Sequence, residues 1–166
     1  MTLSAPVPLN AEHDSSGFDS GQPSLDDWLR RRALANQKAG ASRTYVVCHD
    51  ATVVAYYAVA SGALACTSGT SRFRRNMPDP IPVAILGRLA IDRGSQRQGL
   101  GRALFRDAAR RILHASDTIG IRGLVVHALT EEAASFYQAL GLTPAPGEPL
   151  LLMVTLEDLR TSDAGL

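Results

Sequence analysis

The chain has 166 residues, enough for one domain with a real core, and its 45% hydrophobic and 20% charged residues are ordinary globular composition. A net charge of +1 does not mark a bulk nucleic-acid binder, although clustered arginines form local patches that the total conceals. The N-terminal stretch MTLSAPVPLNAEHD has neither a basic start nor an apolar core, and no run approaches the ~20 apolar residues of a membrane span, so the expected compartment is the cytoplasm.

In chain order, Ser24-Leu25-Asp26-Asp27 reads as a capping box with Asp in place of the usual Glu. It opens a predicted helix that carries Leu25, Trp28, Leu29 and Leu34 and ends before Gly40. Residues 43–48 and 53–60 are β-rich runs joined by a short polar turn, which predicts a hairpin. Residues 67–82, TSGTSRFRRNMPDPIP, read as a loop, because alternating prolines exclude a helix after Asn76. Residues 82–91 form an apolar central strand interrupted at Gly87-Arg88. After a glycine bend, Leu100, Leu104, Ala108 and Ile112 repeat every four residues on one helix face. Residues 123–128 form a short strand, Thr130 caps a helix that stops at Gly141, and residues 150–156 form a last strand. Strands dominate the first half and strand–helix units the second, which predicts an α/β (α+β) fold with a mixed central sheet flanked by helices. Cys48 and Cys66 have no metal-ligand spacing and read as ordinary thiols.

The bend itself, RGSQRQGLGRAL over residues 93–104, is an anion site in principle. A helix N-terminus leaves N–H groups free, and glycines let backbone approach a ligand. A P-loop is excluded because G-x-x-x-x-G-K-[ST] is absent, and a dinucleotide fingerprint because position 104 is Leu. The pattern Q/R-x-x-G-x-G/A is satisfied by Gln96-Arg97-Gln98-Gly99-Leu100-Gly101.

That pattern resembles the pyrophosphate loop of the GNAT N-acetyltransferases, which bind acetyl-coenzyme A. Leu89-Ala90-Ile91-Asp92 stands where the family has its pantetheine strand, and Ala134-Ser135-Phe136-Tyr137 through Gly141-Leu142 is similar to its late helix signature. The resemblance covers nearly the whole chain and implies a single domain over residues 1–160, with a polar tail at 161–166. A narrower likeness lies in Gly21 with Leu25-Asp26-Asp27-Trp28-Leu29, in residues 40–48, and above all in RRNMPDPIP at 74–82. These are similar to the GNAT toxins of bacterial type II toxin–antitoxin modules. Such toxins acetylate the α-amine of aminoacyl-tRNA and are usually homodimers neutralised by ribbon-helix-helix antitoxins.

The resemblance implies roles residue by residue. Tyr137 is the general acid, since a phenol near pKa 10 keeps its proton at neutral pH. Its neighbour Phe136 reads as core. Arg97, Gln98, Gly99, Leu100, Gly101 and Arg102 hold the pyrophosphate, with the arginines adding charge. Backbone at Leu89, Ala90 and Ile91 polarises the thioester carbonyl, and Ser135 either touches the cofactor or is a plain helix serine. His127, Glu131 and Glu132 are candidate bases or mere surface, with water-relayed proton loss as the default. Arg106, Arg110 and Arg111 read as solvated helix face. The tRNA side is Arg30, Arg31, Arg32 and Lys38, then Arg72, Arg74 and Arg75, then Arg88 on the central strand; the alternative is that they are solubilising charges. No metal is expected. Two rivals share the loop: a GNAT acting on protein N-termini or small amines, and a non-catalytic acetyl-CoA-binding module that tolerates loss of Tyr137. An upstream ribbon-helix-helix gene favours the toxin.

Overall fold

The computed structural model describes residues 2–164. Its seven strands lie in the order β1-β2-β3-β4-β5-β7-β6. The elements are β1 (Val7–Pro8), α1 (Pro23–Arg31), α2 (Ala33–Lys38), β2 (Arg43–His49), β3 (Thr52–Leu64), α3 (Ser71–Arg74), β4 (Ile81–Ile91), α4 (Leu100–Ala115), β5 (Gly123–His127), α5 (Glu131–Ala139), β6 (Thr143–Ala145), β7 (Glu148–Thr155) and α6 (Leu156–Ala164). No helix among the described residues is long and apolar enough to cross a membrane. The chain forms two compact units, residues 1–60 with 87–107, and residues 61–86 with 108–166.

In the first unit the predicted hairpin is present. β2 pairs antiparallel with β3, Tyr45 opposite Tyr57, and Asp50 takes the turn at φ 54°. The two rings stack at 5.2 Å. Leu29, Ala33, Val46, Val53, Tyr56 and Ala90 make the core, with Trp28 packed against it. The first helix differs from expectation. Pro23 occupies its first turn, Gln22 is the N-cap, and no side chain caps it, so Ser24 lies inside the helix. Asp26 turns inward and is buried. At Arg32, with φ −122° and ψ −33°, the helix breaks into α1 and α2.

In the second unit β4 pairs in parallel with β5 over Ala84–Leu86, and β5 pairs antiparallel with β7. β3 runs on to Leu64, past the expected end at residue 60. Gly62 permits this, since a Cβ there would lie 2.3 Å from Ile85 Cδ1. Gly87-Arg88 does not interrupt β4 either. The expected 67–82 loop contains the one-turn helix α3, capped by Thr70 Oγ1 accepting from Phe73 N–H at 3.1 Å. Its purpose is to bury Phe73 beside Ile81, Val125 and Met153. Phe73 also reaches Gly123, where a Cβ would stand 2.7 Å from the ring and 2.1 Å from the Val154 carbonyl oxygen. Thr130 caps α5 as expected, its hydroxyl accepting from Ala133 N–H at 3.1 Å, and Gly141 at φ 103° ends that segment. Arg160, the expected domain end, lies inside α6, and residues 165–166 of the expected tail fall outside the described residues.

Candidate functional site

The anion loop is built in the first unit, from the end of β4 to the start of α4. Ala90 is buried, while Leu89 and Ile91 are half-buried. Asp92 then caps a tight turn by accepting from Gly94 N–H at 3.1 Å. The backbone enters the left-handed region at Arg97, φ 65°, and again at Gly99, φ 77°. An arginine in that region is uncommon and marks a loop whose surroundings hold it there. Ala103 N–H closes the first helical turn on Gly99 C=O at 3.2 Å. The amides of Gly101 and Arg102, ahead of it, have no intrahelical acceptor, and they sit at the positive end of a 16-residue helix. Nothing lies within 4 Å of where a Gly99 Cβ would stand, so the approach is open. Arg97, Gln98 and Arg102 are exposed around it. Backbone donors, an open glycine and two flanking guanidiniums fit a pyrophosphate.

Gln96 behaves differently from the rest of the motif. Its Nε2 donates to Ser20 C=O at 2.9 Å and to Ile91 C=O at 2.8 Å, so its amide holds the loop to its own neighbourhood. Farther along α4, Leu104, Ala108 and Ile112 form the buried face, as the four-residue repeat requires. Asp107 accepts a short hydrogen bond from the Tyr57 hydroxyl, a pairing of α4 with β3 that sequence reading missed. The only local signal was one acid among arginines. Arg106 and Arg111, expected on the solvated face, are half-buried, the Arg106 Nε shielded from solvent, while Arg110 is exposed.

Tyr137 belongs to the second unit. It is 6% exposed, on the inward side of α5, with the Phe136 ring edge-on at 5.1 Å. Burial disfavours the phenolate and pushes the phenol pKa well up, so the proton stays on at any physiological pH. Phe136 is half-buried rather than fully core; Ser135, His127, Glu131 and Glu132 are exposed. Cys48 is buried with its thiol pKa raised by desolvation, and Cys66 is half-buried with Sγ 3.3 Å from Pro78 C=O.

The expected basic side chains divide by what they touch. Arg32, at the break between the two helices, and Lys38, at the end of α2, are exposed, while Arg30 lies in α1. Arg30 bonds Phe18 C=O at 2.7 Å and Asp27 at 3.0 Å. Arg88 lies over the Trp28 ring, 4.4 Å from its centroid. Arg72 corrects the expectation of an open phosphate contact. Its guanidinium forks onto Asp158 at 2.7 and 2.8 Å, tying α3 to α6. That pairing lowers the Asp158 pKa. Arg74 and Arg75, beside it, are exposed.

Residues 40–143 match the family model for the acetyltransferase (GNAT) domain. A tRNA-acetylating toxin of Mycobacterium tuberculosis is 50% identical over 157 residues, covering 95% of each chain. The structure of AtaT complexed with acetyl-methionyl-tRNAfMet superposes with a TM-score of 0.88 at 29% identity, over 96% of this chain and 98% of that one. A Tyr-to-Phe variant of AtaT, bound to the C-terminus of the antitoxin AtaR and to acetyl-CoA, gives 0.83 at 30% identity over 97% of both.

Proposed function

This chain belongs to the GNAT acetyltransferase family, and from that premise we propose that it acetylates the α-amine of aminoacyl-tRNA and so blocks translation, as a toxin neutralised by a cognate antitoxin. The observation that carries this is 50% identity to a tRNA-acetylating toxin across 95% of both chains. The co-substrate is acetyl-CoA, which supplies the acetyl group as an activated thioester.

Each part of the chain then has a task. Backbone amides from Arg97 to Arg102 receive the pyrophosphate, and the exposed Arg97 and Arg102 side chains add charge. Backbone at Leu89, Ala90 and Ile91 orients the thioester and polarises its carbonyl. The neutral amine attacks that carbon, a C–N bond forms and the C–S bond breaks. Tyr137 gives its phenolic proton to the departing sulfur, and water carries away the proton the amine loses. The buried phenol is suited to this because its proton is retained until a strong base develops beside it. The exposed Arg32, Lys38, Arg74 and Arg75 track the RNA backbone, with Arg30 and Arg88 contributing less because each already has a partner. Ser135 lines the cofactor side. The chain works in the cytoplasm as a homodimer, and its antitoxin is a ribbon-helix-helix protein; light scattering at micromolar concentration checks the dimer.

The test is in vitro translation with acetyl-CoA, followed by mass analysis of the aminoacyl-tRNA pool. Arrest with one acetyl group gained on the aminoacyl ester is expected. Acetylation of peptides or small amines with the aminoacyl-tRNA untouched would replace this reading with that of an ordinary GNAT.

A further inference from the structure

Residues 18–21 take no part in the roles above, yet they are bonded closely to the anion loop. Asp26, 5% exposed, would be a costly buried carboxylate without donors. Ser20 supplies them: its N–H lies 3.1 and 3.2 Å from the two carboxylate oxygens, and its Oγ donates to Oδ1 at 2.6 Å. The Ser20 peptide is thereby fixed, and its carbonyl accepts from Gln96 Nε2 at 2.9 Å. One residue earlier, Asp19 N–H donates to Asp92 Oδ1 at 2.9 Å, and Asp19 C=O accepts from Arg93 N–H at 2.8 Å. Arg30 holds Phe18 C=O at 2.7 Å. The loop is thus tied at Asp92, Arg93 and Gln96, all ahead of Gly99 in the chain.

We propose that residues 18–21, anchored by Asp26, form a brace that sets the loop backbone in its ligand-receiving shape before acetyl-CoA arrives. Ser20, Asp26 and Gln96 are positioning residues; the ligand contacts are the amides beyond them. The physical reason is preorganisation. The left-handed conformation of Arg97 is unfavourable in a free chain, and a loop that must adopt it on binding loses affinity by the cost of ordering. Stitching the entry to the loop from behind removes that cost in advance. The Gly21-to-Leu29 stretch that marks the toxin-like likeness thereby acquires a role: its aspartate serves the loop 70 residues on. This inference rests on the acetyl-CoA reading of the loop.

The experiment is calorimetric titration of acetyl-CoA into the full chain carrying Ser20→Ala, Ser20→Thr or Gln96→Ala. It is accompanied by the melting temperature of each unliganded protein and amide hydrogen exchange over residues 97–101. Ser20→Ala and Gln96→Ala are expected to weaken acetyl-CoA about tenfold and to speed exchange over 97–101. Ser20→Thr, which keeps the hydroxyl, is expected to restore both. If the wild type binds and the two Ala variants bind equally well, the brace is refuted and the acetyl-CoA reading stands. A lowered melting temperature with unchanged affinity means packing alone and also refutes it. A wild type that does not bind acetyl-CoA overturns both readings.

Discussion

Replacing Tyr137 with Phe removes one oxygen and keeps a ring that is 6% exposed. The edge-on contact with Phe136 at 5.1 Å survives, so packing is preserved and the stability change is confined to hydrogen bonding, about 1 kcal/mol. For a chain of this size that lowers the melting temperature by roughly 2–4 °C. On the proposed role of Tyr137 as general acid, the chemical step is expected to lose far more. Without a general acid the thiolate leaves unprotonated, and the loss is about 10²–10⁴-fold, or roughly 2.7–5.4 kcal/mol of barrier. The assay is single-turnover transfer to aminoacyl-tRNA at saturating acetyl-CoA, beside a calorimetric titration of acetyl-CoA. Affinity is expected to hold while the rate falls. The pH profile gives a second check. Burial raises the phenol pKa, so the acid form persists as pH rises, and the wild-type rate is expected to show no alkaline decline below about pH 9. A Phe variant within threefold of wild type removes Tyr137 from the mechanism.

Gly99→Asp places a side chain in open space but at φ 77°, with negative charge at the proposed pyrophosphate site; the rise in melting temperature given by acetyl-CoA is expected to vanish while the fold persists by circular dichroism. Arg74→Glu with Arg75→Glu reverses two exposed charges, so tRNA acetylation is expected to weaken steeply with a flatter salt dependence, read by kinetics across a salt series, while acetyl-CoA affinity is unchanged. Asp158→Asn removes the fork to Arg72. Because the Asp158 pKa is lowered in the fold, the stability it adds is present above the unfolded carboxylate value near 4 and is lost as pH falls through the folded one. The wild-type advantage in melting temperature is therefore expected at neutral pH and to shrink as pH is lowered below about 4, and it is small because both partners are about half-exposed.

What was legible in the sequence was whatever repeats locally or demands a special residue. The α4 face is visible because Leu104, Ala108 and Ile112 recur every four residues, and the ends of α5 because Thr130 and Gly141 are a cap and a stop. Gly99 of the anion loop is visible for the same reason, since few residues accept φ 77°. The break at Arg32 carries no glycine or proline and is set by packing. The fork from Arg72 to Asp158 spans 86 residues, so no window along the chain contains it. Gln96 shows a subtler limit. It stands in a ligand-loop pattern, yet its amide bonds two carbonyls of the protein. Asp27, the acid of the expected capping box, pairs with Arg30 instead, and Asp26 beside it, for which no role was read, is a buried acceptor for Ser20. A motif names residue types; it does not say which way each one faces.

Gly123 has a consequence for genetics. Any base change that replaces a glycine with another amino acid adds at least a Cβ, and here that atom would collide with the backbone oxygen of Val154, which cannot swing aside as a side chain would. If the chain arrests growth when expressed without its antitoxin, survivors will be selected for loss of the protein as readily as for loss of its chemistry. Position 123 then offers a broad target, since every missense change there damages the β5–β7 pairing. A survivor screen should return Gly123 substitutions alongside those in the anion loop, and the two groups will separate by protein level in the cell: the loop variants abundant and inert, the Gly123 variants scarce.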